Sequence, residues 1–382
     1  MKPIDLCDIS PISIHNRENK VHVKDFAGPL TPGASFDTFL SSLPRILAGK
    51  DFRQIVGAIC AARQNDRPVI VAFGAHVIKC GLSPIIIQLM ERGVITALAT
   101  TGAGAYHDVE IALFGHTSED VTDGLHSGTF GMASEPCDFI NNIGTEAGET
   151  GLGNAIGSSL LKNDPPYIEQ SIFGQATQSG VPITVHVAVG TDVNHMHPSF
   201  DAAAWGAASH TDFRRLCALI AELKGGAMLN WGSAVLLPTI IEKAIAVTRN
   251  MGHDVSKFTA ANFDFISHYR ARRNTLDRAN ELGGKGYMLV GHHELLIPLL
   301  AQAILNELGQ APALDECRLN DGTRELLEHM AVLNWDTIIT LKPTKTQAEE
   351  AQQFLHGFLI RQFGELPKGR GAALANNQAT AD

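Results

Sequence analysis

The sequence predicts an α/β protein with a parallel sheet covered by helices on both faces. Short, continuous apolar runs recur along the chain, most of them ending in glycine, and amphipathic helix patterns separate or follow them. A strand that is apolar at every position is buried on both sides, which in a parallel sheet means helices above and below. With 45% hydrophobic and 18% charged residues among 382, the chain can fill a large core. The predicted fold is therefore Rossmann-like.

The elements follow in order. A helix is predicted from Asp51 to Arg63, where Ile55, Val56, Ile59 and Cys60 fall at helical spacing. PVIVAFGAH, from residue 68, reads as a buried strand. SPIIIQLMER at 83–92 reads as a helix with Ser83 at its cap and Pro84 at its first position. VITALATTGAG at 94–104 is the next strand, feeding a helix that carries Val109, Ile111, Ala112 and Leu113. Further strands are PITVHVAVG at 182–190, AMLNWG at 227–232, SKFTAANF at 256–263 and GYMLVG at 286–291. Leu216, Leu219, Ile220 and Leu223 mark one helix face among them, and Ile240, Ile241, Ala244 and Ile245 another. The predicted organisation is an arm with a leading helix over 1–67, the α/β core over 68–310, a helical extension over 311–365 and a disordered tail over 366–382.

Thirty Lys and Arg against 40 Asp and Glu leave a net charge of −10, and no basic run supplies a local patch. That argues against nucleic acid or an anionic membrane as partner. The start, MKPIDLCDIS, lacks a basic stretch followed by an apolar one, and no run approaches a membrane span. The six cysteines, at 7, 60, 80, 137, 217 and 317, form no CxxC pair. Reduced thiols and a cytoplasmic location are the expectation.

In parallel sheets ligands bind beyond the carboxyl ends of the strands. Gly74 and His76 end the first strand here, Gly102, Gly104, His107 and Asp108 follow the second, Gly190, Thr191 and Asp192 the third, and Gly232 and Ser233 the fourth. Glycine lets backbone amides approach a phosphate, and it equally makes a tight turn. His107, Asp108 and Glu110 at a helix opening suit proton transfer or a cationic amine, and acids there also complement the helix dipole. Among 16 histidines, His195 with His197 and His292 with His293 and Glu294 offer metal-ligand chemistry, without an HExxH or a clean fourth ligand. Lys285, within Gly283, Gly284 and Gly286, is a candidate imine-forming nucleophile or a solvated loop lysine.

Taken in order, these features resemble deoxyhypusine synthase over roughly residues 20 to 308. The resemblance rests on Val23, Asp25, Phe26 and Gly28; Phe52 and Ala58–Ile59; a TTxxGxxxD pattern at Thr100, Thr101, Gly104 and Asp108; and Leu152–Gly153 with Ile156. It continues through Pro182 to Thr191–Asp192, Gly232 and Ser233, Arg249–Asn250 and Pro298–Leu299–Leu300. It implies a homotetramer that uses NAD to oxidise a polyamine and holds an imine on a lysine, here Lys285, before transfer to a second amine or a protein lysine. It further implies that Thr100, Thr101 and Gly104 contact the dinucleotide, Gly232 and Ser233 its phosphates, and Thr191 and Asp192 the NAD or the amine, with His292 at the ribose position; the strand-end reading adds Gly74 and Gly102 to the cofactor site.

The sequence departs from that pattern in places. Gly284 stands where the family has tryptophan, Tyr106 and His107 where it has paired acids, and His292 where it has an aspartate for a ribose. The stretch Gly102 to Glu110, with Gly115, Thr117 and Ser118, is similar to the NAD-binding domain found with archaeal-type ornithine cyclodeaminases. Both resemblances imply transient oxidation of an amine by NAD. The expectation is a deoxyhypusine synthase-like enzyme acting on a small cationic amine, with Lys285, His107, Asp108 and His293 as catalytic candidates and no metal. The alternatives are an ornithine cyclodeaminase-like deaminase, a metal-dependent hydrolase using His195, His197, His292 and His293, and a non-catalytic nucleotide-binding protein.

Overall fold

The structure is a computed structural model that describes residues 2–309 and positions 326, 344 and 347. Apart from those three positions, the expected helical extension and tail lie outside the described residues. The chain divides into two compact units, Met1–Arg53 and Gln54–Asp382.

In the first unit, α1 (Phe36–Ser42) begins where the Ser35 hydroxyl accepts the Thr38 N–H at 3.2 Å. The Arg53 guanidinium closes the loop that follows, donating to the carbonyls of Leu40 at 2.6 Å, Leu43 at 2.7 Å and Pro44 at 2.9 Å. Helix α2 (Leu47–Gln64) carries the predicted apolar face, with Ile55, Val56, Ile59 and Cys60 buried.

All six predicted strands are present in the second unit: β1 (Val69–Phe73), β2 (Ala97–Thr101), β3 (Ile183–His186), β4 (Ala227–Trp231), β5 (Thr259–Asp264) and β6 (Lys285–Val290). They form one parallel sheet in the order β3-β2-β1-β4-β5-β6. This is the Rossmann arrangement, in which strand order reverses between β1 and β4.

Helices α3 (His76–Lys79) and α4 (Ser83–Glu91) link β1 to β2. Ser83 is the first residue of α4 and not its cap, with Leu82 ahead of it and no side chain capping the turn. The long crossing from β2 to β3 holds α5 (Gly102–Phe114), α6 (Val121–Ser127), α7 (Ser134–Ala147), α8 (Leu152–Asn163) and α9 (Ile172–Gln178). Then come α10 (Ala202–Ala221), α11 (Leu236–Asn250), α12 (Tyr269–Ala271), α13 (Asp277–Glu281) and α14 (His293–Gly309).

One face of the sheet, presenting Ile70, Ala72, Ala97, Ala99, Met228 and Ala260, packs against Leu216 and Ile220 of α10, Leu237, Ile241 and Ala244 of α11 and Ala279 of α13. On the other, α5 contacts β2, while α14 contacts β5 and α4. Among the described residues no helix is long and apolar enough to cross a membrane.

Candidate functional site

Where the strand order reverses, two glycines bring the ends of β1 and β4 together. Gly74 donates its N–H to the Trp231 carbonyl at 2.9 Å, and a Cβ on it would stand 2.5 Å from the Gly232 carbonyl oxygen. Gly232 has φ +70°, in the left-handed region, and passes so close over His293 that a Cβ would lie 2.9 Å from the ring. His293 is 1% exposed and donates through Nε2 to the Phe263 carbonyl at 3.1 Å, so it supports this turn from below. The buried Asn230 side chain holds the next peptide, donating to the Ser233 carbonyl at 2.9 Å and to Asn262 Oδ1 at 2.5 Å.

The amides that follow these glycines are open. Among the described residues, the backbone N–H groups of Ala75, His76, Ser233, Ala234 and Val235 have no hydrogen-bond partner. Helix α11, which begins immediately afterwards, has no side chain capping its N-terminus apart from Ser233 Oγ, which accepts from Leu237 N at 3.3 Å. Two runs of free donors on adjacent strand ends, one at the positive end of a 15-residue helix, make an anion-binding cradle. The exposed His76 ring lies beside it, 5.8 Å from the His293 ring and 6.3 Å from Phe265.

At the carboxyl ends of β2 and β3 the chain's own side chains meet the first turn of α5. Thr101 Oγ1 accepts the Gly104 N–H at 3.2 Å, and the Asp192 carboxylate accepts that of Ala103. Gly102 lacks a side chain because a Cβ there would collide with Asp192 Oδ2. Asp192 thus occupies the position of an anion at the N-terminus of α5, although burial pushes its pKa up to about 6. His195 accepts the N–H groups of Gly190 at 3.0 Å and Asp192 at 3.3 Å on Nδ1, which leaves the proton on Nε2, 3.8 Å from Asp192 Oδ2. Its ring packs against Phe200 and Trp205, and burial lowers its pKa.

The other expected cofactor contacts at this end are likewise committed internally. Thr100 is fully buried and donates to the Phe73 carbonyl at 2.9 Å, while Thr191 donates to the Ala188 carbonyl at 2.7 Å. The predicted cofactor residues therefore fall into two groups. Gly74, Gly232 and Ser233 line open donors, whereas Thr100, Thr101, Gly102, Gly104, Thr191 and Asp192 build the join between α5 and the sheet.

The expected catalytic residues do not converge. Asp108 is fully buried and accepts from Ser171 Oγ at 2.5 Å, Ile172 N at 2.7 Å and Phe173 N at 3.3 Å, so it anchors the start of α9. Burial pushes its pKa up to about 6 against these hydrogen bonds. His107 Nδ1 lies 2.6 Å from Thr117 Oγ1 and 3.2 Å from Glu110 Oε2, and the Thr117 hydroxyl also donates to Glu110. Burial alone would raise the Glu110 pKa, but the bonds from His107 and Thr117 outweigh it and hold it low. Both partners of His107 come from α5 and the segment just after it.

Lys285 is exposed at the first position of β6. In a parallel sheet that is the edge opposite the cradle, roughly 16 Å along the strand from its carboxyl end. Gly284 abuts the Phe258 backbone so closely that no side chain fits, which accounts for the missing tryptophan. Lys285 is therefore not brought to the site within one chain.

The histidine cluster is also dispersed. His195 and His197 follow β3 while His292 and His293 follow β6, and these strands are the two edges of the sheet, five steps or roughly 24 Å apart. His197 Nε2 bonds the Gly131 carbonyl at 3.0 Å, and His292 is exposed beside Glu294. Among the described residues no group of three or more His, Cys, Asp or Glu side chains could hold a metal ion. The four histidines of that alternative are thus not brought together within one chain.

The residues around the cradle that sequence reasoning missed are Phe265 and the open amides of Ala75, Ala234 and Val235. The one available signal was an apolar Phe265–Ile266 pair directly after the acidic end of a strand.

These features define a parallel α/β protein of Rossmann strand order, with an open donor cradle at the reversal. No family model matches the chain, and no curated protein matches it by sequence. Solved structures similar to it in fold include ArgZ, an arginine dihydrolase from the ornithine-ammonia cycle in cyanobacteria, at 15% identity and a TM-score of 0.42, covering 68% of this chain and 33% of that one. AgrE, in a ternary complex with ornithine and NAD+, matches at 14% identity and a TM-score of 0.46, covering 69% of this chain and 34% of its own. An Entamoeba histolytica protein provisionally assigned as a deoxyhypusine synthase matches at 12% identity and a TM-score of 0.42, covering 72% and 94%. The chain spans about a third of the length of ArgZ and AgrE. At these identities the likeness is one of fold.

Proposed function

We propose that this protein binds NAD at the reversal between β1 and β4 and uses it to oxidise a small cationic amine transiently. The observation that carries the reading is the open cradle: five backbone donors without partners, beside two glycines that a Cβ would push apart. The amides of Ala75, His76, Ser233, Ala234 and Val235 would hold the pyrophosphate, and Gly74 and Gly232 would let it approach. When bound, NAD would supply the hydride acceptor, so that an amine loses hydride from carbon and a proton from nitrogen to become an imine. His76, exposed at the rim, is the side chain best placed to take that proton, and Glu294 presents a carboxylate to a cationic substrate at the same end of the sheet.

The choice of an amine follows from the sequence resemblance to two amine-oxidising families. Between them, the position of Lys285 favours the deaminase-like reading, in which the imine stays on the substrate, over transfer through a protein lysine. The homotetramer is proposed from the deoxyhypusine synthase resemblance alone.

The test is denaturing release of bound nucleotide from purified protein with mass spectrometry, together with titration of stripped protein with NAD. Stoichiometric NAD, and an increase in reduced-nicotinamide fluorescence on adding ornithine, arginine or spermidine, is the expected result. Failure of stripped protein to bind NAD sinks the proposal.

A further inference from the structure

The carboxyl-terminal rim beyond β4, β5 and β6 is unusually apolar. Val235 is 58% exposed, Phe265 and Ile266 are each 50% exposed, and Val290 is 58% exposed. They come from three consecutive strand ends, on the side of the reversal where the free amides of α11 open. An exposed apolar cluster rimmed by polar groups marks a contact surface for something else.

Phe265 is tied to the cradle by a continuous series of contacts. Its backbone N–H is held by Asp264 Oδ1 at 2.9 Å, which fixes where the ring leaves the strand. The His76 ring meets it edge-on at 6.3 Å with an interplanar angle of 61°, and meets the His293 ring at 5.8 Å. His293 underlies Gly232, and Gly232 abuts Gly74. Phe265 therefore stands beside the ring of His76, whose own amide is one of the open donors, with half its surface uncovered.

Two classes of occupant fit an aromatic, half-covered rim: another protein surface, or a flat ring. The position decides between them. The rim adjoins five donors suited to a pyrophosphate, and a dinucleotide bound there must place a heteroaromatic ring a few ångströms from its phosphates.

We propose that Phe265, braced by His76, is the stacking wall for one of the two rings of the dinucleotide, with Ile266 and Val235 extending the apolar surface. The inference rests on the NAD reading above and deepens it by naming the side chains that recognise a ring. Stacking of a base on an aromatic face is tolerant of base identity and contributes substantially to affinity.

Equilibrium binding of NAD, ADP-ribose and nicotinamide mononucleotide to the full chain tests this, with Phe265→Leu and Phe265→Tyr compared at matched secondary structure by circular dichroism. Because Phe265 is half exposed, both variants are expected to fold. Phe265→Leu should weaken NAD binding about 5- to 100-fold, while Phe265→Tyr stays within about twofold of wild type. The half-ligand whose affinity falls with it identifies the stacked ring. Unchanged NAD affinity in Phe265→Leu overturns this inference alone, and a change in oligomeric state at unchanged affinity reassigns the rim to a subunit contact. Wild-type protein that binds no NAD overturns the parent reading instead.

Discussion

The turn from β2 into α5 and the turn from β4 into α11 look alike in sequence: a largely apolar strand, a glycine followed by a small residue, Ala103 or Ser233, and a helix. In the fold they have opposite fates. At α5 the chain supplies its own anion, with Asp192 and Thr101 accepting the first-turn amides. At α11 the amides of Ser233, Ala234 and Val235 stay open beside those of Ala75 and His76. A strand-glycine-helix turn is thus a binding site only where no side chain from another loop has already claimed its donors.

The sharpest way to break this comparison is a paired substitution. Gly74→Ala puts a methyl 2.5 Å from the Gly232 carbonyl and should lower NAD affinity about 100-fold, the equivalent of one or two charge-assisted hydrogen bonds. Gly102→Ala, crowding Asp192, should lower the melting temperature while leaving NAD affinity of the folded protein within about twofold. Titration at low temperature with calorimetry separates the two, and equal loss of affinity in both variants would erase the distinction.

Next in size is Asp108→Ala. Three groups at the start of α9 lose a buried acceptor, so urea unfolding should show a loss of about 3 kcal/mol with NAD affinity retained. A reduced affinity at unchanged stability would return Asp108 to the catalytic group.

Asp192 gives a pH signature. Burial holds its folded pKa at about 6, above the 3.8 of a free aspartate, so the folded state takes up its proton more readily than the unfolded chain. The corresponding stability is present in full below about pH 4 and is lost as pH rises through 6, amounting to about 3 kcal/mol for this nearly buried group. Asp192→Asn should remove that part of the slope between pH 4 and 6, measured by denaturant midpoints. Asp108 and Asp212, both also pushed up to about 6 by burial, keep theirs.

The smallest expected effect is at Lys285. Lys285→Ala should change neither NAD affinity nor amine-dependent reduction by more than about twofold, and borohydride with candidate amines should leave no adduct on Lys285. A trapped adduct there would require a second copy of the chain to complete the site.

Much of the fold was legible in the chain. β1 to β4 appear as largely apolar runs because burial on both faces disfavours polar positions, β6 at the sheet edge is only partly buried, and the longer helices keep a 3.6-residue period. The start of α4 was displaced by one residue, since Ser83 is buried within the first turn and does not cap it. The candidate site was legible only in part. Gly74, Gly232 and Ser233 sit where strand-end reasoning puts ligands, whereas Thr100, Asp108 and Asp192 carry the same residue types for internal hydrogen bonding. Composition and spacing do not distinguish a carboxylate that meets a ligand from one that caps a helix, because both uses need an acid beside free N–H groups.

The six strands, the helices with a marked apolar face and the glycines at strand ends are written locally in the chain, because periodicity and turn chemistry act over a few neighbouring residues. Which strand ends become neighbours is set by the folded sheet. The order β3-β2-β1-β4-β5-β6 sets Gly74 against Gly232, though they are far apart in the chain, and parts His195 from His293 across the full width of the sheet. It also leaves Lys285 at the opposite edge from the cradle, since in parallel strands the first residue and the last face different ends of the molecule.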